Sequence, residues 1–169
     1  DNSYNINKGL RLARTLLSDV TNMGLPCATE FLDVITPQYF AELITWGAIG
    51  ARTVESQVHR ELASGLSASI GFKNATNGDV QVAVDAIKSA TYPHHFLSTT
   101  KSGSTAIFET KGNQNGHIIL RGGASGPNFK KEAVDNCVAK LKKANLDTKI
   151  MIDCSHGNSQ KDHKKQITV

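Results

Sequence analysis

The chain has 169 residues, 39% hydrophobic and 20% charged, with nineteen basic against fifteen acidic residues and a net charge of +4. That size and mixture describe one soluble globular domain able to bury a sizeable core, and they exclude a disordered or fibrous chain. The basic excess lies in short scattered runs, Lys142 with Lys143 and "KDHKK" at 161–165. It lacks the one-faced clustering and interleaved aromatics of a nucleic-acid surface, so no nucleic-acid partner is expected.

Cys27, Cys137 and Cys154 are odd in number and far apart. Without a CxxC pair they predict reduced thiols and a cytoplasmic setting rather than a disulfide framework. No apolar run approaches the roughly 20 residues of a spanning helix, and no targeting segment is visible, so no membrane association is expected. The chain opens on "DNSYNINKGL", with no initiator methionine and already in a helical pattern. A piece of something longer is the expectation.

In chain order, Ile6, Leu10, Ala13, Leu17 and Val20 recur at helical spacing over 6–22, and "MGLP" at 23–26 breaks the pattern. "CATEFLDVI" at 27–35 reads as a strand. Thr36 then caps a helix with Pro37 at its first position and Gly47 after its last turn. "AIGAR" at 48–52 is the next strand, Ser56 caps the helix "QVHRELASGL", and "SIGFKN" at 69–74 is a further strand. Asp79 caps "VQVAVDAIKSA". Residues 94–112 break the rhythm with two β-rich runs meeting at "KSGS", the signal of an inserted hairpin. "HIILRGG" at 117–123 is a strand, Val134, Cys137, Val138 and Leu141 mark a helix, and "KIMIDCS" at 149–155 is the last strand.

Strand and helix thus alternate about five times, and the apolar strands read as parallel and covered by helices. An open doubly wound sheet and a closed eightfold barrel both fit. The barrel is favoured because Glu30, Asp33, Arg52, Lys73, Arg121, Asp153 and His156 fall at or near strand C-terminal ends, which converge on one mouth in a barrel. About five strands are present, so the barrel is expected to be incomplete.

Arg52, Lys73 and Arg121 at one mouth make a pocket for a multiply charged anion, because guanidinium grips phosphate or carboxylate through paired bonds and lysine adds a point charge. Glycines in "GAR" and "RGG" let an anion approach backbone amides. The competing reading pairs each base with an acid such as Glu55 or Glu61. His156, beside Asp153 and Glu30, is read either as a metal ligand or as a structural histidine. Cys154 is left out of the metal reading, since a free cysteine often packs as a small hydrophobe.

"GARTVESQVHRELASGLS", "GFKN", "IILRGG" and "DCSHGNS", in this order and spacing and joined by "INKGLRLAR" and "LPCATEFLD", resemble the type I 3-deoxy-D-arabino-heptulosonate-7-phosphate (DAHP) synthases. The resemblance covers essentially the whole chain. It implies an α/β fold, a (β/α)8 TIM barrel represented here by about strands 3 to 7, with 1–169 a single partial barrel domain and 94–112 a regulatory hairpin inserted in it. It also implies the first step of aromatic amino acid biosynthesis, condensation of phosphoenolpyruvate with erythrose 4-phosphate, releasing phosphate. By motif, the Ala51 amide, Arg52, Lys73 and Arg121 bind phosphoenolpyruvate, and His156 is one of four ligands to a divalent metal ion, manganese, cobalt, zinc or iron. Glu30 organises the attacking water or takes part in core hydrogen bonding.

The resemblance further implies a site for an inhibiting aromatic amino acid built from Pro37, Gln38, Ser67, Ser98 and Lys101, with serine at 98 leaning toward phenylalanine over tyrosine. A homo-oligomer is the expected state of the intact protein. The family's upstream "KPRT"-type loop and its cysteine, glutamate and aspartate metal ligands have no counterpart here. These residues alone are therefore expected to bind metal weakly and to be inactive. Two alternatives remain beside this reading: another phosphoenolpyruvate-dependent synthase such as the octulosonate-phosphate enzyme, or an inactive anion-binding half-barrel.

Overall fold

A computed structural model describes residues 2–169; the opening Asp1 of the expected domain lies outside the described residues. Five parallel strands, β1 (Ala28–Glu30), β2 (Trp46–Ile49), β3 (Ser69–Lys73), β6 (Gly116–Leu120) and β7 (Ile150–Ile152), form one sheet in the order β1-β2-β3-β6-β7. Two further strands, β4 (His95–Thr99) and β5 (Thr105–Glu109), pair antiparallel with each other within the predicted 94–112 segment. The parallel order never reverses, as it does at the switch point of a doubly wound sheet. Each strand is added beside its predecessor in the sheet.

Four α-helices accompany the strands: α1 (Ile6–Asn22), α2 (Gln57–Gly65), α3 (Gln81–Ala90) and α4 (Lys131–Lys143). Helix α1 has the bounds its periodicity predicts, opened by Asn5, whose Oδ1 accepts from the Lys8 amide at 3.0 Å. Helix α4 ends without glycine. Asn145 takes φ +56° there, in the left-handed region asparagine tolerates, and the Leu146 amide bonds back to the Leu141 carbonyl at 3.0 Å.

The strand pleat divides the sheet chemically, because alternate residues face opposite sides. Ile49, Ile70, Phe72, Ile118 and Leu120 fall on one side and pack in the buried core with Ala83, Val84 and Ile87 of α3 and Leu141 of α4. The registers Glu30↔Ala48, Gly71↔His117, Lys73↔Ile119 and Ile119↔Met151 put Glu30 and Lys73 on the other side. Continued one step past the ladders, the same alternation aligns Arg121 and Asp153 with them. Helix burial and charge placement are thus two consequences of one period.

Several local expectations change. The segment from Thr36 forms two short 3-10 turns, Thr36–Tyr39 and Ala41–Leu43, in place of an α-helix. Eight residues lie between Thr36 and Leu43 inclusive, and they give way at once to β2, whose pairing with β1 and β3 takes in Gly47. Asp33 caps this segment: its Oδ1 accepts from the Ile35 and Thr36 amides at 2.8 and 2.7 Å, so it serves the turn. Burial opposes its charge, but the Thr36 hydroxyl and these amides outweigh it and hold the carboxyl below its ordinary value. Strand β1 is correspondingly short. Ser56 precedes α2 without a side-chain cap bond, its Oγ lying 2.8 Å from His59 Nδ1, while Asp79 accepts from the Gln81 amide as α3 begins.

All three cysteines are free thiols, Cys27 and Cys137 buried and Cys154 exposed. Burial pushes the Cys137 thiol up to about 11, so it is a neutral packing group. Among the described residues no helix is long and apolar enough to cross a membrane.

At the opposite edge of the sheet from the strand C-termini, Trp46 Nε1 donates to His117 Nε2 at 3.0 Å. That bond requires a neutral imidazole. Burial lowers the His117 pKa below its ordinary value against an Asn115 backbone bond, and Lys149 adds to the lowering. A depressed histidine favours folding in its neutral form, so its contribution is present above the unfolded value of about 6.5 and is lost as pH falls through the folded one. Thermal melts of the protein and of His117→Gln across pH 5 to 8 should therefore diverge. The native chain loses stability below about pH 6.5 and the variant shows a flatter profile.

Candidate active site

The C-terminal ends of the parallel strands open on a cavity of about 850 Å³. Glu30, Ala51, Arg52, Lys73, Arg121 and His156, all nominated from sequence, line it together. Thr76, Gln160 and Lys161 line it as well and were not anticipated. They sit on the loops after β3 and β7, where strand periodicity carries no signal.

Lys73 Nζ stands 3.6 Å from Glu30 Oε2, with the lysine side chain 13% exposed and the carboxylate 39%. The pair is loose, and it leaves both groups turned into the cavity. Glu30 Oε1 lies directly against Gly50, in the space a Cβ would fill, so only glycine lets the carboxylate occupy this position. Arg121 donates from Nη1 to the Gly122 carbonyl at 3.2 Å. Among the described residues neither Arg52 nor Arg121 has an acidic partner within ion-pair distance, and Glu55 and Glu61 neutralise none of the three cations. The competing ion-pair reading therefore holds only for Lys73, and its partner is Glu30. A cavity with more basic than acidic side chains suits an anion with several oxygens.

His156 follows β7 with φ +35°, a left-handed conformation rarely taken by a residue with a side chain. Its Nδ1 lies 2.7 Å from Asp153 Oδ2, and its carbonyl accepts from the Lys161 amide at 2.8 Å. The carboxylate orients the ring so that Nε2 is left for a ligand, the usual arrangement behind a metal-binding histidine. His156 thus fits as one ligand. Among the described residues no group of three or more His, Cys, Asp and Glu converges to hold a metal ion, so this donor set is incomplete as a cage.

A second cavity, of about 540 Å³, lies between the 3-10 turns, the end of α2 and the β4–β5 pair. Pro37, Gln38, Ser67 and Ser98 line it. Lys101 does not: it lines a neighbouring cavity of about 610 Å³, shared through Gln38 and bordered by Arg11 and Arg14. Phe96 and Phe108, paired across β4 and β5 with ring centroids 6.1 Å apart, form an aromatic wall of the second cavity. Their role was legible only after register was known, since it places both rings on the cavity side and leaves Leu97 and Ile107 exposed on the other.

The sequence model of the DAHP synthetase I family matches residues 1–169. The chain belongs to the DAHP synthetase I family. It is 59% identical to the phospho-2-dehydro-3-deoxyheptonate aldolase of Haemophilus influenzae over the whole chain and 47% of that relative. It is likewise 59% identical to the Phe-sensitive enzyme of Escherichia coli, of which it covers 48%, and 57% identical to the tyrosine-inhibited enzyme of Schizosaccharomyces pombe, of which it covers 45%. A solved structure of phospho-2-dehydro-3-deoxyheptonate aldolase from Francisella tularensis superposes with a TM-score of 0.96 at 91% identity, over 99% of this chain and 49% of that one. The chain spans about half the length of these relatives.

Within this DAHP synthetase I segment the cavity floor depends on close backbone packing. Gly122 has φ +71°, and a Cβ there would lie 2.5 Å from the Asn158 nitrogen and the Gly157 carbonyl carbon, both backbone atoms. Gly122→Ala is expected to lower stability by at least about 2 kcal/mol through left-handed strain and overpacking. Urea unfolding of the full-length protein measures it.

Proposed function

We propose that the protein carrying this chain condenses phosphoenolpyruvate with erythrose 4-phosphate to give 3-deoxy-D-arabino-heptulosonate 7-phosphate and phosphate, within a (β/α)8 barrel of which the parallel sheet is about strands 3 to 7. The observation that carries this reading is the convergence of Glu30, Ala51, Arg52, Lys73, Arg121 and His156 on one cavity at the strand C-terminal ends. The unreversed strand order supports the barrel, since a barrel adds each parallel strand beside the last. The names of the relatives support the reaction.

Phosphoenolpyruvate carries a phosphate and a carboxylate on one small carbon frame. Arg52, Arg121 and Lys73 neutralise these groups, and the Ala51 amide adds a backbone donor. Held in place, the enol presents C3 to the aldehyde carbon of the second substrate, and fixing both partners in line removes much of the entropic barrier. When the C3–C1 bond forms, positive character develops at C2. Water then adds at C2 while Glu30 accepts its proton, and the C2–O bond to phosphate breaks with release of phosphate. The remaining C2 hydroxyl loses its proton to leave the ketone, and the former aldehyde oxygen takes up a proton to become the new hydroxyl. Lys73 Nζ, 3.6 Å from Glu30 Oε2, keeps the carboxylate beside the cations that hold phosphoenolpyruvate. His156 would be one ligand to a divalent metal ion, manganese, cobalt, zinc or iron, which would supply Lewis-acid polarisation of the aldehyde oxygen.

The second cavity is proposed as the site for an inhibiting aromatic amino acid, with the 94–112 hairpin as its regulatory wall. Its Phe96–Phe108 face suits an aromatic ring. Relatives bear the names Phe-sensitive, tyrosine-inhibited and Trp-sensitive at 59%, 57% and 52% identity, values too close to choose an effector. Ser98 leans the choice toward phenylalanine.

Two measurements on the full-length protein test these sites. Arg121→Ala should raise the KM for phosphoenolpyruvate by about thirtyfold or more, the equivalent of at least about 2 kcal/mol for a lost charged hydrogen-bonding partner, with a small effect on the sugar phosphate. Unchanged phosphoenolpyruvate kinetics would remove Arg121 from the site. Ser98→Gly should weaken phenylalanine inhibition about five- to tenfold, as loss of one hydrogen bond of roughly 1 kcal/mol predicts, while both KM values hold. Inhibition as strong as in the unaltered protein would detach the hairpin from regulation.

A further inference from the structure

Past the last sheet pairing of β6, Arg121 and Gly122 still carry four backbone hydrogen-bonding groups, and all four are met by asparagines. The Arg121 amide donates to Asn74 Oδ1 at 2.9 Å and its carbonyl accepts from the Asn158 backbone amide at 3.1 Å. The Gly122 amide donates to Asn128 Oδ1 at 2.7 Å, and its carbonyl accepts from Asn74 Nδ2 at 3.1 Å. The three residues are also joined to one another. Asn128 Nδ2 donates to Asn74 Oδ1 at 3.1 Å, and the Asn128 amide donates to Asn158 Oδ1 at 2.8 Å. Asn158 Nδ2 in turn donates to the Leu120 and Asp153 carbonyls, both at 2.9 Å, tying the end of β6 to the start of the His156 loop.

Asn74 is fully buried and Asn158 is 4% exposed. Each side-chain amide donates two hydrogen bonds and accepts at least one, a set that neither a carboxylate nor a single hydroxyl of similar size can reproduce. Buried polar groups satisfied on every side hold a single geometry, because any displacement leaves a donor or acceptor unpaired. Asn74 follows β3, Asn128 lies in the connection to α4 and Asn158 follows β7. Three separate segments therefore meet on the peptide units that carry Arg121.

We propose that Asn74, Asn128 and Asn158 are positioning residues that fix the Arg121–Gly122 main chain so that the Arg121 guanidinium meets the anionic groups of phosphoenolpyruvate. The inference rests on the reading of the cavity given above. The network acts through Arg121 and touches no substrate. Its loss therefore weakens one ligand selectively, whereas a general structural role would lower stability and affect both substrates alike.

The test is calorimetric binding of phosphoenolpyruvate and steady-state kinetics on the full-length protein, with Arg121→Ala measured alongside. Asn128→Ala, at a half-buried position, strips the acceptor from the Gly122 amide and should raise the phosphoenolpyruvate Kd and KM about tenfold, with the sugar-phosphate KM within about twofold. Asn128→Asp keeps the acceptor for the Gly122 amide but loses the donor to Asn74 Oδ1, and should recover part of the loss. Asn74→Asp removes the donor to Gly122 and should cost at least as much; if it does not fold, the Asn128 pair alone decides. If Arg121→Ala binds phosphoenolpyruvate normally, the cavity reading fails and this inference with it. If Arg121→Ala is impaired while folded Asn128→Ala binds phosphoenolpyruvate normally, or loses both substrates equally, the positioning role is overturned.

Discussion

The two-residue period of the parallel strands governs both stability and chemistry in this chain. One set of alternate residues, Ile49, Ile70, Phe72, Ile118 and Leu120, must be apolar because α3 and α4 pack against it. The other set is released from that demand and carries Glu30 and Lys73, with Arg121 and Asp153 in phase beyond the strand ends. A slip of one residue in any pairing would drive a charged group into the helix-covered core, at a desolvation cost no exposed contact could offset. Register is therefore locked by the same residues that make the cavity charged.

Beyond the strands, backbone control passes from the sheet ladder to side-chain amides and glycines. Gly50 admits the Glu30 carboxylate, and Gly122 admits the backbone of the 157–158 turn. Asn74, Asn128 and Asn158 then satisfy the peptide groups that no neighbouring strand can reach. Loops so closely packed and hydrogen-bonded open at greater free-energy cost than ordinary surface loops, which fits a site where Arg52 and Arg121 are held without acidic partners among the described residues. In the proposed reading, the charge of a bound anion is the partner these two cations lack.

The second cavity is built on a different principle. Its walls come from 3-10 turns and from an antiparallel pair separate from the main sheet, so it is remote from the strand ends in construction. The exposed Leu97 and Ile107 on the far side of that pair contrast with the Phe96–Phe108 face turned inward. A small two-stranded unit of this kind can shift as a body more readily than a central strand, which would suit the proposed regulatory role.

The alternation of strands and helices, the bounds of α1, the location of the antiparallel pair and the placement of Glu30, Arg52, Lys73, Arg121 and His156 near strand ends were legible in the sequence, because period and punctuation are local properties. The motifs carried the family. Local signals failed where tertiary contacts outweighed them: the Pro37 segment reads as a helix but becomes 3-10 turns, and Gly47 reads as a helix stop but is claimed by β2. The ion-pair choice for each cation, the Phe96–Phe108 wall, the separation of Lys101 from Ser98 and the asparagine network could be decided only in three dimensions. Each joins residues distant in sequence through distances and register, and no spacing along the chain encodes which of many possible partners a buried polar group will meet.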